Sequence, residues 1–160
     1  MGNNNQKKEE IESEFTTKEE FVEEVEKIFT SLESRNPFSL GVSMGYGWFE
    51  VDVQWKITLY GRYWSLSEVE LVLSVLTSRQ TPNVTETKLG LWNNDLGDIS
   101  AEVWKLCSKL NNLTYLDIGS NNLSVISPLV CDLVHLQQLL LYENNISAEG
   151  VVGVCELLKV

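Results

Sequence analysis

The chain has 160 residues, 43% of them hydrophobic, and a formal net charge of −11. That apolar content excludes a wholly disordered chain, and no apolar run approaches the roughly 20 residues of a membrane-spanning helix. So acidic a chain is repelled by phosphate backbones and anionic membrane surfaces, which excludes nucleic acid as the expected partner.

Residues 1–14 are polar and read as a disordered tail. Gly2 follows the initiator methionine as in an acylation signal, but Gln6 stands where that signal wants Ser or Thr, so lipidation of Gly2 is left open and a solvated tail is expected. Thr17 and Glu20 form a capping-box pattern that opens a helix over 17–34. Phe21, Val22, Val25, Ile28, Phe29 and Leu32 line one side of it, and Asn36-Pro37 ends it. A short strand is expected through Leu40, Val42 and Met44. Over 48–60, Phe49, Val51, Val53, Trp55, Ile57 and Leu59 alternate with polar residues, which predicts one strand. Glu50 and Asp52 share its polar face, and with no second catalytic signal they read as solvated. Ser67 and Glu70 give a second capping-box pattern, opening a helix too apolar to stand uncovered, which Thr81-Pro82-Asn83 ends.

Beyond residue 86 the wording changes. Sixteen of 23 leucines and eight of 13 asparagines lie there, and their spacing repeats. Leu113-x-x-Leu116-x-Ile118-x-x-Asn121-x-Leu123 returns as Leu136-x-x-Leu139-x-Leu141-x-x-Asn144-x-Ile146, offset by 23. A partial copy, Leu89-x-Leu91-x-x-Asn94-x-Leu96, precedes the first by 27, with Glu86 in the first leucine position. Ile57-x-Leu59 followed by Trp64 stands a further 32 residues back, with Arg62 in the place of asparagine.

These residues resemble the leucine-rich repeat family over 86–158. The convex segments are similar to a mixture of ribonuclease-inhibitor-like and 23-residue repeats. The resemblance implies an α/β fold, a short solenoid with a parallel sheet, preceded by an N-terminal helix-plus-β cap or degenerate repeat at 15–80 and carrying its repeats over 81–160. Each L-x-L puts two side chains into the core, and one repeat cannot bury its apolar face alone. Asn94, Asn121 and Asn144 would form a ladder bonding the neighbouring turn's backbone.

Leucine-rich repeat proteins usually bind other proteins with the concave sheet, so the residues between the core leucines are the expected site. They form three columns: Lys88, Tyr115, Gln138; Gly90, Asp117, Leu140; and Trp92, Gly119, Tyr142 with Glu143 beside it. Large aromatic residues are the usual affinity anchors, and Asp117 and Glu143 favour a basic partner rim. The expected partner-binding residues are therefore Lys88, Trp92, Tyr115, Asp117, Gln138, Leu140, Tyr142 and Glu143. The last strand, near Gln138–Tyr142, is also expected to present an unpaired edge, through which a structural subunit would self-associate or dock on another chain.

An enzyme is not expected. The chain has one histidine, and no nucleophile elbow, phosphate loop, dinucleotide fingerprint or metal-ligand spacing is found, so no cofactor and no metal are predicted. Cys131 and His135 lack a third group to orient them. Three cysteines are not a disulfide framework, and no apolar leader opens the sequence, so an intracellular place, cytoplasmic or nuclear, is expected. Cys107, Cys131 and Cys155 follow the repeat and are expected to pack on the convex side. Sequons at Asn83, Asn112, Asn122 and Asn145 read as coincidences of the repeat's wording.

Overall fold

The computed structural model describes residues 9–13, 20, 23, 26–27, 39–44, 47–52, 56–60, 64–79, 86–110, 112–151 and 154. Among the described residues, seven strands lie side by side in chain order: β1 (Glu9–Ser13), β2 (Ser39–Met44), β3 (Gly47–Asp52), β4 (Lys56–Tyr60), β5 (Thr87–Gly90), β6 (Leu113–Asp117) and β7 (Gln138–Leu140). β1 and β2 are parallel, and β2–β3 and β3–β4 are antiparallel. β4, β5, β6 and β7 form a four-strand parallel sheet. The crossovers are helix α1 (Leu66–Arg79), helix α2 (Ala101–Lys109) and a short 3-10 helix at Pro128–Asp132. The chain is thus α/β.

Register in the parallel run is regular. Ile57 pairs with Leu89, Leu89 with Leu116, and Leu116 with Leu139, so the strands are offset by 32, 27 and 23 residues. Within these strands side chains alternate between faces. Leu59, Leu89, Leu91, Leu116 and Ile118 are buried with Val72, Leu76, Val103, Trp104 and Leu106 of the helices. α1 packs against α2, and α2 against the 3-10 helix, so the helices succeed one another over one face of the sheet. The opposite face is left to the residues between the leucines.

The segment expected as a single strand over 48–60 is instead a hairpin, β3 and β4, which reverses between Asp52 and Lys56. Phe49 pairs with Leu59 and Val51 with Ile57. The apolar alternation is symmetric about Gln54, so it survives the reversal, and periodicity reads the same for one long strand or for two. Within the stretch read as a tail, Glu9–Ser13 forms β1 beside β2. A strand's backbone pairing does not require an apolar sequence, and acidic residues on both sides of Ile11 concealed it. Of the helix expected over 17–34, Glu20, Glu23, Glu26 and Lys27 are helical, while its apolar positions lie outside the described residues.

The cap of α1 also lies elsewhere than Ser67. The Ser65 amide and hydroxyl donate to Glu68 Oε2 at 2.8 and 2.7 Å, and the Glu68 amide donates back to Ser65 Oγ at 3.3 Å. This reciprocal box satisfies donors that the first turn leaves free. Glu70 is consequently available to accept from the Ser100 hydroxyl at 2.7 Å. Ser100 in turn caps α2 by accepting from the Val103 amide at 3.2 Å, so one hydroxyl ties two helix starts together.

Candidate binding surface

β5, β6 and β7 are each followed by a turn held by a buried or half-buried asparagine. Asn121, fully buried, donates to Leu91 O at 2.7 Å and Gly119 O at 3.0 Å. Its Oδ1 accepts from the amides of Asn94 (3.1 Å) and Leu96 (3.5 Å). Asn144 repeats the arrangement one strand on: it donates to Ile118 O and Leu141 O, and it accepts from the amides of Asn121 and Leu123. Asn94 donates to Leu59 O and Leu91 O. Asn121 and Asn144 use both the donor and the acceptor of the amide, whereas the buried Oδ1 of Asn94 has no hydrogen-bond partner among the described residues. The residue before each asparagine, Asn93, Ser120 or Glu143, has φ between 52 and 59°. This left-handed turn swings the chain out of the sheet and sets the third column at the rim of the open face.

On that face the sheet register aligns the columns. Lys88 pairs with Tyr115 and Tyr115 with Gln138, while Gly90 pairs with Asp117 and Asp117 with Leu140. A groove of about 590 Å³ crosses these strands, lined by Thr58, Glu86, Lys88, Gly90, Trp92, Thr114, Tyr115, Asp117, Gln137 and Gln138. Five of the eight residues expected in the site therefore line one depression. Leu140, Tyr142 and Glu143 extend the surface towards β7 rather than lining the groove.

Asp117 is the centre of the face. It is 6% exposed, and its Oδ1 accepts from the Gly119 amide at 3.0 Å. Its Oδ2 accepts from the hydroxyls of Tyr115 at 3.4 Å and Tyr142 at 3.3 Å. Burial, then the negative charge of Asp117 and the hydrogen bond to it, push the Tyr115 phenol above its ordinary value. The same causes in the same order raise Tyr142, with smaller contributions from Tyr115 and Glu143. Tyr142 reaches Asp117 by lying across Gly119, where a Cβ would fall within 2.6 Å of ring carbon Cε1. Tyr142 nevertheless stays 45% exposed, and the Ser120 hydroxyl donates to Glu143 Oε2 beside it at 2.6 Å.

At the other end, Glu86 accepts from the Thr114 hydroxyl at 2.9 Å and lies 3.4 Å from Lys88 Nζ. The Thr114 bond, opposed by partial desolvation and assisted by Lys88, lowers the Glu86 carboxyl below its ordinary value. Glu86 and Thr114 were not among the expected site residues. The available signal was the charged residue in a position where the other copies carry leucine. A second unanticipated link is Asp98, whose carboxylate accepts from the Ser124 amide (2.7 Å) and hydroxyl (2.7 Å) and from the Val125 amide (3.0 Å). These bonds, led by the Ser124 hydroxyl and opposed by desolvation, hold the Asp98 carboxyl below the usual range.

On the helical side, Cys107 is buried in α2, and burial pushes its thiol up to about 12, where it is neutral and unreactive at physiological pH. Cys131 is half-buried, His135 is exposed, and Cys155 lies outside the described residues. Of the sequons, Asn112 is half-buried, Asn122 and Asn145 are exposed, and Asn83 lies outside the described residues. Among the described residues, no three His, Cys, Asp or Glu side chains are grouped to hold a metal ion, and no helix is long and apolar enough to cross a membrane. Comparison with known proteins finds no matching family model, no matching curated protein and no matching solved structure.

Proposed function

We propose that this chain is a short leucine-rich-repeat solenoid acting as a non-catalytic interaction module, intracellular, that binds a protein partner on the open face of its parallel sheet. One observation carries this reading. The strand offsets of 32, 27 and 23 put leucines in one layer, asparagines in one ladder, and Trp92, Tyr115 and Asp117 in one groove on the face opposite the helices. Aromatic side chains around a buried, oriented charge are the kind of centre at which interfaces concentrate their affinity.

A photo-crosslinking amino acid tests the face. Placed at Gln138 it should give discrete adducts with a partner in a cell extract, and placed at Lys105 on the helical side it should give none. Trp92→Ala combined with Tyr142→Ala should abolish the Gln138 adduct while the chain remains folded by circular dichroism. Equal adducts from Lys105, or an adduct indifferent to the double variant, would overturn the reading.

A second reading has its own observation: beyond β7 no further strand lies among the described residues. Ile118 and Ser120 donate their amides to Leu140 O and Tyr142 O of the following turn, and Leu141 and Glu143 stand in the corresponding places one strand on. In this reading the chain is a structural subunit that docks through that edge. Light scattering across a concentration series distinguishes the two. A mass that doubles with concentration and reverts with Leu140→Lys supports edge docking, and a monomer throughout excludes its self-association form.

A further inference from the structure

We infer that the groove across β5 and β6 is a receptor for a single arginine side chain of the partner, with the guanidinium seated on Asp117. This deepens the concave-face reading and rests on it.

The groove is built around one carboxylate. Asp117 is nine-tenths buried by residue yet lines the depression, and its register neighbour Gly90 carries no side chain to cover it. Where the third column contributes Trp92 and the first contributes Tyr115, the groove gains two aromatic walls. The charge census is one-sided at this point. Lys88 is the single cation lining the groove, and it lies against Glu86. Asp117 has no cationic partner among the described residues, and its neighbours there are hydroxyls and an amide. The whole chain carries −11, which draws a cationic partner to it.

The donor geometry selects arginine over lysine. Oδ1 is fixed by a 3.0 Å bond from the Gly119 amide, whereas Oδ2 is held by two tyrosine hydroxyls at 3.3 and 3.4 Å, both long for O–H···O. An incoming N–H can therefore replace weak bonds rather than strong ones. A guanidinium offers paired donors to a carboxylate and a flat, weakly hydrated surface to aromatic rings. An ammonium is a strongly hydrated point charge with no flat face to lay against Trp92 or Tyr115.

The test uses the full chain labelled with ¹⁵N and blocked Gly-Arg-Gly, Gly-Lys-Gly and Gly-citrulline-Gly peptides as probes. The arginine peptide should shift the Gly90 and Gly119 amides saturably. Citrulline, which keeps the shape without the charge, should bind at least about tenfold more weakly, as expected for loss of a charge-assisted pair. Asp117→Asn should abolish the response while its side-chain oxygen still accepts from Gly119. Gly90→Gln, whose side chain would lie over Asp117 from the neighbouring strand and leave the carboxylate itself in place, should do the same, so the outcome does not depend on one variant folding. Equal binding of lysine and arginine, or shifts that persist in both variants, would overturn the arginine assignment. Absence of any peptide response would overturn it too. In either case an intact, Trp92-dependent crosslink from Gln138 leaves the concave-face reading standing, whereas loss of that crosslink alone removes the reading and not the peptide result.

Discussion

Asn121→Ala should be the most damaging of the three ladder substitutions. The amides of Asn94 and Leu96 lose Asn121 Oδ1, their acceptor, and both belong to buried residues. The two carbonyls that Asn121 serves are less affected. Leu91 O keeps a 2.9 Å bond from Asn94, and Gly119 O keeps a 3.0 Å bond from the Asn93 amide. An unsatisfied buried donor costs about 1–3 kcal/mol, and the 3.5 Å bond to Leu96 belongs at the low end, so the sum is about 2–4 kcal/mol. Asn94→Ala removes a single unshared donor, to Leu59 O, and should cost about 1 kcal/mol. Asn144 is only half-buried, so water replaces part of what Asn144→Ala removes, and that variant should fall between the two. Urea unfolding followed by circular dichroism measures the order, with an unchanged slope confirming that the same surface unfolds. If Asn121→Ala cost no more than Asn94→Ala, the ladder would not be carrying the turns as argued.

Ser65→Ala should lower stability by about 1 kcal/mol and Ser67→Ala by almost nothing, because the reciprocal cap is made by Ser65 and Glu68; thermal unfolding of the two variants decides it. Tyr142 favours its neutral form in the folded chain, so stability should hold up to the ordinary tyrosine value of about 10 and fall as pH rises through the raised folded value. Gly119→Ala should push the ring off Asp117 and return the Tyr142 titration towards its ordinary value, read by ¹³C NMR of the labelled phenol. Asp98 acts in the opposite sense: its depressed carboxyl contributes stability above the unfolded value, and that contribution is lost as pH falls through the lower folded one. Asp98→Asn should flatten that acid limb of the stability profile, and a limb of unchanged slope would show that the Asp98–Ser124 link does not couple to folding.

Much of the parallel half was legible residue by residue. A period of two sorts side chains between faces, and a fixed offset between copies states which residue will neighbour which. Spacing alone therefore places Lys88, Tyr115 and Gln138 in one row, and the three asparagines in another. The same logic misled at 48–60, where alternation symmetric about Gln54 is blind to a chain reversal. It misled again at α1, where two overlapping Ser-x-x-Glu spellings differ by two residues and the turn geometry chose Ser65. Nor could it see the contacts that give the open face its chemistry. Tyr142 reaches Asp117 because Gly119 leaves room beneath the ring, and Glu86 meets Thr114 at the groove's end. Asp98 ties down the turn at Ser124 through the backbone of the next crossover. Sequence by itself determined which residues face the core and which share a row, because those depend on local periodicity. Only the tertiary structure decided where the chain turns back and which side chains converge on one carboxylate, because those depend on how far apart neighbouring strands set residues that the chain separates by more than twenty positions.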